Sequence, residues 1–326
     1  MKLNTPRKVY FNGDFIDEKD AKLSIYDSSL MFGDMVFEMT RSFNKKHFLL
    51  NDHIDRLYKS ANYLEIPVNI SKKEMVDACY EISEINSNTF EENDEHRLMI
   101  NISRGLLSIY DKKVDVESGT NVIIADFPLK WTVNGMDKFF DTGLNAVIPS
   151  QRMIPSKLLE AKVKNRNRIH YMMANIEVSK FKSKNTWALL MDEDGYITEG
   201  TGSNFFMVKN KKLFTPEPRN LLRGISRDYV ISLAKKNDIE VIEKNLELYD
   251  VLECDEAFFT ATPFCIMPIQ AINFNPICDP GAWETTKHLL KLWSNEVGID
   301  IEYQIKNWNK NSVNSEKGMS PYSFKK

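Results

Sequence analysis

Apolar residues recur every second position early in this chain and every third or fourth soon afterwards, so strands and helices are both expected. "VYFNGDFI" (9–16) sets Asn12-Gly13 between two alternating runs, the mark of a type I′ hairpin, because both central residues of that turn need positive φ. "VFEMTRSFNKKHFLL" (36–50) reads as a second hairpin turning near Asn44 and Lys45. In "NDHIDRLYKSANYLEI" (51–66), Ile54, Leu57, Ala61 and Leu64 fall on one helical face, and Pro67 stops the pattern. Ser71 and Glu74 are spaced as a capping box ahead of "KKEMVDACYEISEI" (72–85). "RLMINIS" (97–103) and "NVIIADF" (121–127) are extended runs.

The second half predicts a helix from about Arg168 to Phe181, strands at "WALLM", "YIT" and "NFFMV", a helix at "SRDYVISLAKKN", strands at "AFFTAT" and "MPIQAI", and a last helix at "WETTKHLLKLWSNEV". The fold class is therefore mixed α/β (α+β), in two domains. The polar stretch "WTVNGMDKFFDTG" places the boundary near residue 140, giving an N-terminal α+β domain (1–140) and a larger, β-rich C-terminal domain (141–306). From residue 307 to 326 the chain is polar and aperiodic, and a loose tail is expected.

Composition narrows the function. At 42% apolar and 27% charged residues the chain can build a core, and 43 basic against 46 acidic side chains are too balanced for a dedicated nucleic-acid surface. A small-molecule substrate is expected. No apolar run approaches the roughly 20 residues a bilayer crossing needs, and the N-terminus has no apolar signal core, so a cytoplasmic protein without a membrane partner is expected. Cys79, Cys254, Cys265 and Cys278 show no metal-ligand spacing, so reduced thiols and no metal are expected.

Four stretches carry chemistry. "YITEGTGSNFF" (196–206) holds Glu199 at the end of an apolar strand, where a partly desolvated acid needs a partner such as a protonated ligand nitrogen. "LRGISRD" (222–228) puts Gly224, Ile225 and Ser226 at the opening of an amphipathic helix, whose amides suit an anion. "FFTATP" (258–263) brings Thr260 and Thr262 to another strand end. "EAKVKNRNRIHY" gathers Lys162, Lys164, Arg166 and Arg168, and neighbouring cations and burial can lower a lysine's pKa enough to make it a nucleophile. An aldehyde for a lysine, a phosphate for the helix terminus and a pyridine nitrogen for the acid together describe pyridoxal 5′-phosphate.

These motifs, with "FGDMVFE" (32–38) and "DHIDRL" (52–57), resemble the fold-type IV pyridoxal-phosphate enzymes, or class IV aminotransferases, from about Tyr10 to Ile272. The resemblance implies that Lys164 is the Schiff-base lysine, with Asn167 three positions on and Lys162 as the fallback. It implies Glu199 on the pyridinium nitrogen, and Arg56, the Ile225 and Ser226 amides and Thr262 on the phosphate, with Asn204 lining the cofactor loop. It implies a ping-pong transfer from an amino donor to a 2-keto acid acceptor, and a homodimer. Phe37, Arg104, Ile109, Thr201 and Ala261 are the candidate substrate contacts.

After Arg104-Gly105 the chain lacks the Arg and His that trap a carboxylate in D-amino-acid relatives. Where branched-chain relatives carry a Tyr after the lysine motif, it has Arg168 and Ile169, with Tyr171 displaced. Phe32, Phe37 and Ile109 suggest an apolar pocket and a hydrophobic, branched-chain-like donor. An aminodeoxychorismate lyase and an R-selective amine or D-amino-acid transaminase remain the alternatives.

Overall fold

The computed structural model describes residues 6–115, 118–181 and 185–310. The chain divides into two compact units. One runs to Trp131 and takes back Val163–Arg168; the other comprises Thr132–Lys162 and the chain from Ile169 onward. Where the sequence suggests one boundary near residue 140, the chain thus passes three times between units.

In the first unit, β1 (Lys8–Phe11) and β2 (Asp14–Asp17) form the Asn12-Gly13 hairpin, with φ of 52° and 108° at those two residues. The short helix α1 (Ser28–Phe32) leads to β3 (Met35–Met39), and β4 (Ser42–Phe43) and β5 (Lys46–His47) make the second hairpin around Asn44 and Lys45, both with positive φ. Helices α2 (Leu50–Tyr63) and α3 (Lys72–Asn86) follow, and then β6 (His96–Ser103) and β7 (Asn121–Pro128). The five-stranded sheet has the order β2-β1-β7-β6-β3. The capping box of α3 forms as expected, with Ser71 and Glu74 each accepting the other's amide.

Alternation decides which face of this sheet the helices cover. Val36, Leu98, Ile100, Ile102 and Ile124 are buried in one cluster with Ile54, Leu57 and Ala61 of α2 and Met75, Cys79 and Ile82 of α3. Each such aliphatic side chain contributes about 1.5 to 3 kcal/mol on full burial. Phe37 and Asn101, directly opposite each other in the β3–β6 ladder, lie on the other face. Residues 163–168 run along the free edge of β3: Asn165 bridges Val36, the Phe37 amide donates to the Lys164 carbonyl at 3.0 Å, and the Arg166 amide donates to the Met35 carbonyl at 2.9 Å.

The second unit opens within α4 (Lys130–Val133), which spans the boundary, and continues with α5 (Phe139–Thr142) and β8 (Leu144–Val147). The stretch 131–143, expected as a polar boundary, is packed: Val133, Met136, Phe139 and Phe140 are all buried. Gly143 ends α5 with φ of 67°, and a Cβ there would lie 2.7 Å from both Gln270 and Trp283, so no larger residue fits.

Then come α6 (Ile169–Val178), β9 (Thr186–Met191), β10 (Ile197–Gly200), β11 (Ser203–Lys209), β12 (Lys212–Pro216) and α7 (Ile225–Lys236). The unit continues with β13 (Val241–Lys244), α8 (Leu248–Leu252), β14 (Glu256–Ala261), β15 (Cys265–Ile272), β16 (Asn275–Pro276) and α9 (Glu284–Val297). The nine-stranded sheet runs β10-β9-β8-β15-β14-β11-β12-β13, with β16 paired to β15 off this path, and a further β10–β11 pairing closes the first six strands on themselves. Every residue of β9, β10 and β14 is buried, so the polar side chains they carry, Glu199 and Thr260 among them, are enclosed with the apolar ones.

One last helix, α10 (Ile301–Lys310), lies where the sequence suggests that the loose tail begins. Ile301, Ile305 and Trp308 recur at helical spacing and are buried, and Asn309 accepts the Gly135 amide at 2.6 Å. Residues 307–310 therefore belong to the fold, and 311–326 lie outside the described residues.

Candidate active site

Glu199 stands on β10 directly opposite Asn204 on β11, in the tight hairpin through Thr201 and Gly202. The carboxylate is 4% exposed and accepts from three neutral donors: the Tyr171 hydroxyl on Oε1 at 2.6 Å, and Asn204 Nδ2 and the Leu222 amide on Oε2 at 3.0 and 3.2 Å. Donors converging on both oxygens fix the carboxylate's orientation. Tyr171, displaced from the position expected for a tyrosine after the lysine motif, reaches the acid from α6.

Asn204 also ties this acid to the anion-binding candidate. Its amide nitrogen donates to the Leu222 carbonyl at 2.9 Å, and its Oδ1 lies 2.0 Å from where a Cβ on Gly224 would be. Gly224 is the N-cap of α7 and supplies no side-chain cap, so the first-turn amides of Ile225 and Ser226 carry the helix's positive end without one. Ser226 is buried, and Arg227 turns inward to Glu243 at 2.6 Å and the Pro216 carbonyl at 3.0 Å, which anchors the turn.

The two threonines of "FFTATP" part ways. Thr260 donates its hydroxyl to the Cys265 carbonyl at 2.6 Å and closes the β14–β15 turn, whereas Thr262 lies in the turn itself, half-buried. Thr201 donates to Asn175 Oδ1 at 3.0 Å, and Ala261 ends β14, buried.

In the first unit, α2 presents His53 and Arg56, three residues apart, to Glu38 of β3. Arg56 donates from Nε and Nη2 to the two Glu38 oxygens at 2.6 and 2.8 Å, and His53 Nδ1 lies 2.8 Å from Oε2. Burial alone would raise the Glu38 pKa, but the charges and hydrogen bonds of Arg56 and His53 hold it well below the carboxylate range. Burial lowers the pKa of His53, against the pull of Glu38. A neutral His53 then donates Nδ1–H to the carboxylate, and Glu38 fixes the Arg56 guanidinium. Glu38 is not among the residues the sequence singles out; the paired bases one turn apart on α2 are its signal.

The two candidate lysines differ in surroundings. Lys162 Nζ is paired with Glu160 at 2.7 Å and with the Arg219 carbonyl at 3.3 Å. Lys164 Nζ lies 4.8 Å from the Phe37 ring centroid, its backbone pinned to β3 and its amide donating to Ser60 Oγ at 3.2 Å. Arg104 donates to Asp34, to the Leu64 carbonyl and to the Glu65 carbonyl from all three of its nitrogens, so it fastens the start of β3 to the end of α2. Phe37 is buried, whereas Phe32 and Ile109 are exposed.

Residues 35–272 match the family described as amino-transferase class IV, and the chain belongs to that family and is an aminotransferase. It is 37% identical over 284 residues to a Methanocaldococcus jannaschii protein described as "Putative branched-chain-amino-acid aminotransferase", covering 86% of this chain and 93% of the other. It is similar in structure to the branched-chain amino acid aminotransferase of Escherichia coli, with TM-score 0.79, 26% identity and coverage of 95% and 98%. The branched-chain aminotransferase of the archaeon Thermoproteus uzoniensis, crystallised with norvaline, is similar at TM-score 0.77 and 26% identity, over 93% and 98% of the two chains.

Proposed function

We propose that the chain transfers the amino group of a hydrophobic, branched-chain-like amino acid to a 2-oxo acid by a ping-pong mechanism, with pyridoxal 5′-phosphate as cofactor. The observation that carries this reading is the buried Glu199, oriented by Tyr171, Asn204 and the Leu222 amide beside a helix N-terminus without a side-chain cap. An anionic acceptor next to an anion-binding helix end fits a ligand with a protonated ring nitrogen and a phosphate. The names of the relatives favour the branched-chain class over the lyase and the D-amino-acid or amine transaminases.

When bound, the cofactor supplies an electron sink that makes the substrate's Cα proton labile. Lys164 would hold the cofactor through its aldehyde and would move the substrate's Cα proton, as general base and then as general acid. Glu199 would keep the ring nitrogen protonated, which favours charge as it develops. The Ile225 and Ser226 amides, Thr262 and Arg56, the last fixed by Glu38, would hold the phosphate. Asn204 keeps Glu199 and the head of α7 in register, and Phe37 offers an apolar wall to the substrate.

The reading extends to a homodimer in the cytoplasm; among the described residues no helix is long and apolar enough to cross a membrane. The test is an absorbance titration of the cofactor-loaded enzyme with single donors and no acceptor. L-leucine, L-isoleucine and L-valine should convert the visible band, and D-alanine and an R-configured arylalkyl amine should not. Conversion by D-alanine alone would overturn the donor class, and pyruvate release from aminodeoxychorismate without acceptor would point to the lyase.

A further inference from the structure

Three cations share one phenyl ring in the first unit. Lys164 Nζ lies 4.8 Å from the Phe37 centroid, the Arg166 guanidinium carbon 3.7 Å and the Arg168 guanidinium carbon 5.1 Å. The pleat explains the gathering. Lys164 and Arg166 are two residues apart on an extended edge segment and so project to one face, the face that carries Phe37 and, opposite it in the ladder, Asn101.

Arg166 is the most constrained of the three. Its Nε and Nη2 both donate to Asn101 Oδ1, at 3.2 and 2.6 Å, while its plane rests against the Phe37 ring. Among the described residues no ion pair involves Arg166, and its hydrogen-bond acceptor is a neutral amide. Burial and the neighbouring Arg168 lower its pKa to about 10, so the charge persists at a cost that a nearby anion would relieve. A pre-oriented guanidinium beside an aromatic wall is a carboxylate receptor in form, since two of its nitrogens fix the plane and the fork is rigid.

We infer that Arg166 is a specificity-determining residue that receives a carboxylate of the substrate beside Lys164. The inference rests on the reading of Lys164 as the reacting lysine. The carboxylate is either the one adjacent to the reacting carbon, present in every 2-oxo acid, or the distal one of a dicarboxylic substrate. Arg166 moves no proton; it selects and holds the acid.

Arg166→Met, which keeps the length and removes the charge, and Arg166→Lys are compared with the parent enzyme using 2-oxoglutarate and 4-methyl-2-oxopentanoate as acceptors under one fixed donor. A lost charge-assisted hydrogen bond raises KM about 10- to 100-fold for the affected acceptor, with kcat changed less, and Lys restores part of it. A rise confined to 2-oxoglutarate assigns the distal carboxylate. An equal rise for both acceptors assigns the carboxylate next to the keto group. Unchanged KM for both overturns the inference. Should Arg166→Met fail to fold, Arg166→Gln gives the same readout. A failure of leucine as donor contradicts only the donor class, because the acceptor series runs with any working donor; loss of turnover in Lys164→Ala, measured in parallel, checks the lysine itself.

Discussion

Asn204 faces Glu199 across the β10–β11 ladder and donates to its Oε2 at 3.0 Å, while its other amide atom abuts the position that Gly224 leaves empty. One asparagine thus couples the acid to the head of α7. Removing the charge of the acid should matter more than removing one of its donors. Glu199→Gln should lower kcat about 100- to 1,000-fold, the range seen when one pre-organised electrostatic contact is lost, and Tyr171→Phe about 10-fold or somewhat more. Steady-state rates on leucine with saturating cofactor check both; a Glu199→Gln enzyme within a factor of three of the parent would contradict the role.

Gly224→Ala places a methyl 2.0 Å from Asn204 Oδ1, so either the asparagine or the helix start must move. Overpacking of this kind costs about 1 to 3 kcal/mol. The expected outcome is a weaker hold on cofactor phosphate, read as a rise of about tenfold or more in the Kd of the apoenzyme for pyridoxal 5′-phosphate. Unaltered affinity would separate the helix end from the phosphate.

Glu38 pairs with Arg56 and His53 while fully enclosed, its own exposure being 0%. Glu38→Gln leaves Arg56 without its counter-charge and should cost about 3 to 5 kcal/mol of stability, the range for breaking a buried pair. Urea unfolding monitored by circular dichroism checks this, and a midpoint equal to the parent's would show that the pair is not structural.

The buried histidines give the protein an acid-sensitive side. Burial lowers the pKa of His47 to about 3, with help from His96 and His53, and lowers that of His53 as well. The unfolded chain protonates each near pH 6.5 and the folded chain resists, so their contribution is fully present above about 6.5 and is lost as pH falls. For His47 the loss is about 1.4 kcal/mol per pH unit between about 6.5 and about 3. Between pH 6.5 and 5, His47→Gln should flatten the dependence of stability on pH by about that slope; an unchanged slope would mean that His47 is protonated in the native state.

Local signals were the legible ones. The Asn12-Gly13 turn, the α3 capping box and the apolar stripe of α2 each reside within a few consecutive residues, and all formed where expected. Contacts distant in sequence were not legible. Tyr171 and Glu199 are joined across 28 positions, and the return of residues 163–168 to the edge of β3 is a matter of topology that no periodicity records. Two elements of four residues each, β8 and β13, escaped too. α10 was hidden because polar residues fill the turns between Ile301, Ile305 and Trp308. Of the site, Glu199 and the Gly224 helix start were readable from composition and spacing, whereas Glu38 needed the sheet that brings it to α2.

Lys164 is set on the edge of β3 beside Phe37, whereas Lys162 is paired with Glu160. Borohydride reduction of the cofactor-loaded enzyme, followed by peptide mass mapping, fixes the cofactor to whichever lysine holds it. A pyridoxyl group on Lys164 is the predicted result; the same group on Lys162, or on no lysine of this segment, would contradict the role of Lys164.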